Sequence, residues 1–163
     1  MHDLDRFHRE MAALDGPMIV VTAAAGARRA GCLVGFHTQV SIDPARYLVC
    51  LSVNNHTYGI AKESTHLGVH FLGAEQRPLA ERFGTRCSDR FDKFAGLDVQ
   101  VGAGGVPVLV DCAHWFVAEI DGTLPVGDHV AFGLVPVASA GAPDRRPLLG
   151  FQGVKDLDAA HAP

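Results

Sequence analysis

The chain has 163 residues, 48% of them hydrophobic, with 18 Gly, 9 Pro and a net charge of −4. That length fits one domain with a core of its own, and the lack of any basic block excludes a nucleic-acid backbone as partner, because such binding rests on clustered Lys and Arg. No apolar run approaches the roughly 18 residues of a membrane span, and the opening Met-His-Asp-Leu-Asp-Arg has neither a basic nor an apolar signal region, so no membrane association and a cytoplasmic location are expected.

Leu4, Phe7, Met11 and Leu14 fall three or four residues apart after Asp3, which predicts an amphipathic helix with Asp3 as N-cap, lying across one end of the domain. Gly16-Pro17 stops it. Met18 to Ala23, MIVVTA, is too short for a buried helix and predicts a core strand, followed by a hairpin turn around Gly26. Ala30 to Phe36 is the next strand; Gly31 and Gly35 within it mark either a barrel bend or a place where something approaches the backbone closely. Ser41-Ile-Asp-Pro44 turns the chain into a third strand, Tyr47 to Ser52. The polar cluster from Asn54 to Thr57 then caps a short helix over Thr57 to Glu63. Unpaired backbone N–H groups and the helix dipole make such a start a ready site for phosphate.

Further on, Leu67, Val69 and Phe71 alternate with Gly68 and His70, which predicts a strand with one face inside. Glu75 to Phe83 reads as a helix with Pro78 in its first turn. Arg86 to Phe94 is a charged loop, and the Gly-rich stretch Val99 to Pro107 reads as a loop without a dinucleotide-binding fingerprint. Ala113 to Ile120 and Val130 to Val137 are expected as an antiparallel pair joined by DGTLPVGDH, with Pro136 confining the second strand to a sheet edge or strand end. Residues 155–163 are expected to be a disordered tail. Together these elements predict a mainly β barrel of six or seven strands with two or three small helices as plugs.

Side-chain catalysis has little support, since the chain lacks a nucleophile elbow and an isolated carboxylate pair. Cys32, Cys50, Cys87 and Cys112 form no C-x-x-C pair, and nine His residues show no ligand spacing, so no metal site is expected. His37, His56 and His114 are given no role. A bound cofactor is left to supply the chemistry, with the protein orienting it.

The blocks GCLVGFHTQVSIDP, YLVCLSVNNHT and FGTRCSDRFDKFAG, in that order over residues 14–153, resemble the flavin reductase-like family of FMN-binding split barrels. The resemblance implies a Greek-key-like split barrel and an NAD(P)H:flavin oxidoreductase that binds FMN or FAD, uses NADH or NADPH, forms a homodimer with flavin at the subunit interface, and supplies reduced flavin to a partner monooxygenase. It implies a flavin ring lined by Gly31, Cys32, Leu33, Val34, Gly35, Phe36 and Ser41, and a phosphate near Ser52, Asn54 and Thr57. Arg86, Asp89 and Arg90 match the family's R-S-G-D-R-F block as R-C-S-D-R-F. His129 of Gly127-Asp128-His129 matches a G-D-H triplet, which implies a positioning role toward nicotinamide. Where the family carries small polar residues, Cys32 to Gly35 make a less polar pocket, and the C-terminal block Leu148 to Lys155, LLGFQGVK, lacks two family Arg residues. The alternative is a flavin-binding electron-transfer or storage protein without nicotinamide activity.

Overall fold

The β-branched run MIVVTA becomes a strand near one end of the main sheet. In the computed structural model, which describes residues 4–86, 90–142, 144 and 147–159, strand β1 (Ile19–Ala25) pairs antiparallel with β2 (Arg28–Val34) around Gly26, whose φ of 60° suits the turn. The sheet continues with β3 (His37–Ser41), β4 (Arg46–Ser52), β5 (His66–Phe71), β8 (His114–Val126) and β9 (His129–Gly141). Its seven strands lie in the order β2-β1-β5-β8-β9-β4-β3. Ile19 and Val21 of β1, Cys32 and Val34 of β2, Leu51 of β4 and Phe132 and Leu134 of β9 share one buried cluster. Strands far apart in the sheet order thus meet around one core, and the sheet curls into a barrel-like body, mainly β as expected. Each fully buried Val, Leu or Phe there contributes about 1.5–3 kcal/mol of transfer free energy.

Several boundaries differ from the sequence reading, each for a physical reason. The polar segment His37–Ser41 is a strand because it lies at the sheet edge, where His37 to Gln39 pair with Val49 to Tyr47 and polar side chains stay in solvent. β8 runs on through Gly122 to Val126, so the expected long connection is strand, and only Gly127-Asp128 turns the chain into β9. Pro136 sits in an inner strand, but β4 pairs with β9 only up to Leu134 and a bulge lies between Val117 and Ala118, so its missing donor falls where one neighbour has ended.

β5 is covered on both faces, which corrects the expectation of one inner face. Leu67 and Val69 enter the barrel core, while Gly68 and His70 face a small hairpin formed by the Gly-rich stretch, β6 (Val99–Val101) and β7 (Pro107–Leu109). Thr22 donates to the Pro107 carbonyl at 2.6 Å. Fully buried His70 holds the carbonyl of Val20 through Nδ1 at 3.0 Å and accepts from the Leu109 N–H at Nε2, 3.1 Å. These bonds define a neutral imidazole, and burial pushes its pKa down to about 4.

Three α-helices complete the described residues. α1 (Leu4–Ala12) carries the predicted stripe, yet none of its residues is buried and Leu4, Phe7 and Met11 stand in solvent. It does not cover the barrel end in the single chain. α2 (His56–Ala61) packs Ile60 and Ala61 into the barrel core. α3 (Arg77–Thr85) buries Ala80 and Phe83 beneath β1 and β2 in a second cluster, with Met18, Val20, Leu72, Leu149 and Val154. The tail expected to be disordered follows the body as far as Leu157, which packs on this cluster. Asp156 accepts from Arg77 at 2.9 and 2.7 Å.

Candidate flavin site

Gly31 explains itself first. A Cβ built on it would lie 2.7 Å from Phe83 Cε1 and 3.3 Å from the Val21 carbonyl, so of the two sequence readings close approach holds, and what approaches is α3. Immediately beside this contact is a pocket of about 550 Å³, within the range of small-molecule sites. Its apolar wall comes from Cys32 and Leu33 of β2, Met18, Phe83 and Gly84; its polar wall comes from Asn54, Asn55, His56, Arg86 and Lys93; and Phe151, Val154, Lys155 and Leu157, with the acidic Asp158, flank it from the C-terminal side.

The polar edge is built by a turn that exposes donors. Ser52 Oγ accepts from the Asn54 N–H at 3.3 Å, and the Ser52 carbonyl accepts from the Asn55 N–H at 3.0 Å. Asn55, rather than Asn54 or Thr57, is the N-cap of α2, its Oδ1 accepting from the Thr57 N–H at 2.8 Å. Thr57 itself is fully buried, and among the described residues its Oγ1 makes no hydrogen bond of good geometry, its polar neighbour being the Cys32 thiol. A buried hydroxyl left unsatisfied costs about 1–3 kcal/mol, which makes it a candidate for a ligand contact. Burial pushes the neighbouring Cys32 thiol up to about 11 against the weaker opposing pull of Thr57, Lys93 and Asn55, so Cys32 stays a neutral part of the wall. The Arg86 guanidinium lies over the Phe91 ring, 4.5 Å from its centroid, which restrains the cation at the pocket rim, beside a second cavity that Phe91 lines.

The predicted residues thus divide. Cys32, Leu33, Asn54 and Arg86 line the pocket, with Gly31, Val34 and Thr57 directly behind or beside them. Phe36, Ser52 and His129 form a separate group: Ser52 pairs with His129 across β4 and β9, and the His129 ring lies 5.1 Å from that of Phe36. His129 Nδ1 is 2.7 Å from Asp128 Oδ1, and this hydrogen bond holds the Asp128 carboxyl below its usual range. Gly35 is exposed between the two groups, Ser41 sits at a bulge on the edge strand β3, and Arg90 is exposed beside Phe91. Asp89 lies outside the described residues. The sequence reading has Asn55 only within the capping cluster and Leu148 to Lys155 only as a block lacking two Arg residues, and it assigns Lys93 no role. Of the His residues left without a role, His37 has a structural one, bridging the Tyr47 hydroxyl and the Pro17 carbonyl, both at 2.6 Å.

Residues 11–155 match the flavin reductase like domain. The chain belongs to that family. This flavin reductase-like chain is 31% identical over 150 residues to the NADH:riboflavin 5'-phosphate oxidoreductase of Streptomyces pristinaespiralis, with 90% of this chain and 83% of that protein covered. It is 30% identical over 149 residues to FMN reductase (NADH) RutF of Klebsiella pneumoniae, covering 91% and 90%. Its backbone superposes on nitrilotriacetate monooxygenase component B from Mycobacterium thermoresistibile with a TM-score of 0.79 at 21% identity, covering 98% and 93%. Some relatives are longer, and the chain spans only 36% and 48% of two Rhizobium meliloti proteins that it matches.

The residues of this flavin reductase-like chain fit a flavin nucleotide. The apolar wall suits a ring system, and the edge at Asn54 to His56 with Arg86 offers amide donors and a cation for a phosphate. The buried Thr57 hydroxyl, which makes no well-formed hydrogen bond among the described residues, points the same way.

Proposed function

We propose that this protein is a flavin reductase that uses NADH or NADPH to reduce FMN or FAD and passes the reduced flavin to a separate monooxygenase. The observation that carries the reading is the pocket itself: the blocks that resemble the family's flavin-binding blocks, distant in sequence, converge on one cavity with an apolar wall and a cationic, amide-rich edge. Bound flavin supplies the hydride acceptor. The chain's part is to seat it between β2 and the start of α2, to neutralise its phosphate with Arg86, and to exclude water with the segment from Phe151 to Leu157. His129 then serves as a positioning group beside Phe36, held in aim by Asp128.

The protein acts as a homodimer in this reading. Phe36, Val53, Leu124 and Val126 are exposed apolar side chains around the tip of the β8–β9 hairpin, joined by the Phe36–His129 contact and by the bond from the Val53 N–H to the Asp128 carbonyl at 3.0 Å. The stripe of α1 is a second uncovered apolar face. A second copy is the occupant favoured for both, because twofold association is the commonest way to bury such surfaces. It would bring Phe36 and His129, which stand outside the pocket of one chain, against a partner.

The deciding experiment is an absorption spectrum of the protein after FMN addition, followed by anaerobic addition of NADH and then NADPH. Bleaching of the flavin band supports the reductase. Flavin binding without bleaching by either nucleotide supports the electron-transfer or storage alternative instead.

A further inference from the structure

We infer that Lys93 sets how much more tightly the pocket holds reduced flavin than oxidised flavin, and so fixes the reduction potential of the bound cofactor. The inference rests on the flavin reading above. Lys93 belongs to the charged-looking loop after α3, yet it is only 5% exposed and lines the pocket. Its Nζ donates to the Gly31 carbonyl at 2.9 Å and to the Phe83 carbonyl at 3.0 Å. The ammonium is therefore pinned between β2 and α3, one residue from Cys32 on the pocket wall.

Lysine is among the residues least often buried, and the two carbonyls it closes, one in β2 and one in the last turn of α3, require a donor there but not a charge. What the ammonium adds is a fixed positive charge whose direction cannot relax, anchored by two backbone carbonyls in a water-poor wall. Its field reaches the pocket lining, since it already favours the charged form of the Cys32 thiol. Arg86, by contrast, is exposed, and its charge is weakened by solvent.

The reaction changes the charge inside that wall. Hydride transfer breaks a C–H bond of the nicotinamide and delivers both electrons with the hydrogen, so NADH and FMN give NAD⁺ and a reduced flavin carrying one negative charge more than before. A unit positive charge in the wall of a pocket about 10 Å across favours that added charge roughly tenfold at an effective dielectric of about 20. For a two-electron couple, tenfold in relative affinity equals about 30 mV.

The test measures dissociation constants of oxidised FMN and of dithionite-reduced FMN, under argon, for the wild type, Lys93→Met, Lys93→Gln and Lys93→Arg, with the midpoint potential of bound FMN read against a reference dye. The preference for reduced over oxidised FMN should fall roughly tenfold in Lys93→Met and Lys93→Gln, with the potential about 30 mV lower, and should hold within about twofold in Lys93→Arg. A purely structural role would weaken both redox states alike, and that outcome, or an unchanged preference, overturns the inference while leaving the flavin site standing. Lys93→Gln keeps a donor for the Gly31 carbonyl and carries the test if Lys93→Met does not fold. A wild type that binds FMN in neither state overturns the flavin reading and this inference with it.

Discussion

Replacing Gly31 with alanine tests the contact on which the pocket wall is built. The new methyl group would lie 2.7 Å from Phe83 Cε1 and 3.0 Å from Cδ1, with the Val21 carbonyl at 3.3 Å on its other side. The strand cannot yield, because Thr22 pairs with Gly31 in the β1–β2 ladder and Lys93 is bonded to the Gly31 carbonyl. Phe83, itself fully buried against Phe94 at 5.4 Å between ring centroids, must turn or push α3 outward. Overpacking of this kind costs about 1–3 kcal/mol, and in a domain of this size that lowers Tm by roughly 2–12 °C. Phe83→Leu alone also destabilises, by loss of buried area, but it makes room for the methyl group. Thermal and urea unfolding of Gly31→Ala, Phe83→Leu and the double variant should therefore give a double variant more stable than the sum of the single effects, by about 1 kcal/mol or more. Strictly additive effects, or Gly31→Ala melting with the wild type, would refute the close-approach reading and return Gly31 to a bend in the strand.

Thr57→Val removes a buried hydroxyl that makes no well-formed hydrogen bond among the described residues, so the protein without flavin should lose little stability while FMN affinity falls; urea titration and FMN binding together check this. Arg86→Met should weaken FMN more than riboflavin by roughly tenfold to a hundredfold, the worth of one charge-assisted bond to phosphate, and equal weakening of both ligands would sink the phosphate assignment. His129→Ala should keep FMN affinity and slow anaerobic reduction by NADH or NADPH by roughly tenfold to a hundredfold, or about 1.4–2.8 kcal/mol, in stopped-flow traces. The His70 pKa of about 4 lies below that of an unfolded histidine, so its contribution to stability is complete above about pH 6.5, falls as the unfolded chain takes up protons below that, and is lost by about pH 4, a total of about 3 kcal/mol. An NMR titration placing the His70 imidazole above pH 6 would contradict it.

The core strands were legible because apolar runs such as MIVVTA and YLVCLS have no other stable home. The edge strand His37–Ser41 and the small hairpin from Val99 to Leu109 were not, since polar and Gly-rich segments take strand form only when a neighbour supplies the ladder. His70 looked outward by alternation; only β7, brought over it by the chain's return, shows why that face is buried. The pocket's order of blocks could be read in advance, including Cys32, Leu33, Asn54 and Arg86. Lys93 could not, because a lysine between Asp92 and Phe94 looks solvated until two backbone carbonyls are seen to hold it. Nor could the C-terminal wall, whose place depends on Arg77 and on Gln152, which donates to the carbonyls of Ala12 and Leu14 at 2.8 and 2.9 Å.

That last set of bonds has a bearing on how the protein is made. Leu149 accepts from the Met18 N–H at 2.8 Å, Phe151 donates to the Gly16 carbonyl at 2.9 Å, and the Gln152 N–H is held by Asp15 at 2.9 Å, so the earliest synthesised part of the described chain is sealed by nearly the latest. A nascent chain can pair β1 with β2 and β5 as it leaves the ribosome, but it has no closed pocket until residues near 157 have emerged. Flavin bound there would stabilise the seam between residues 15–18 and 149–152 along with the pocket. Limited proteolysis should then cut near that seam faster without FMN than with it.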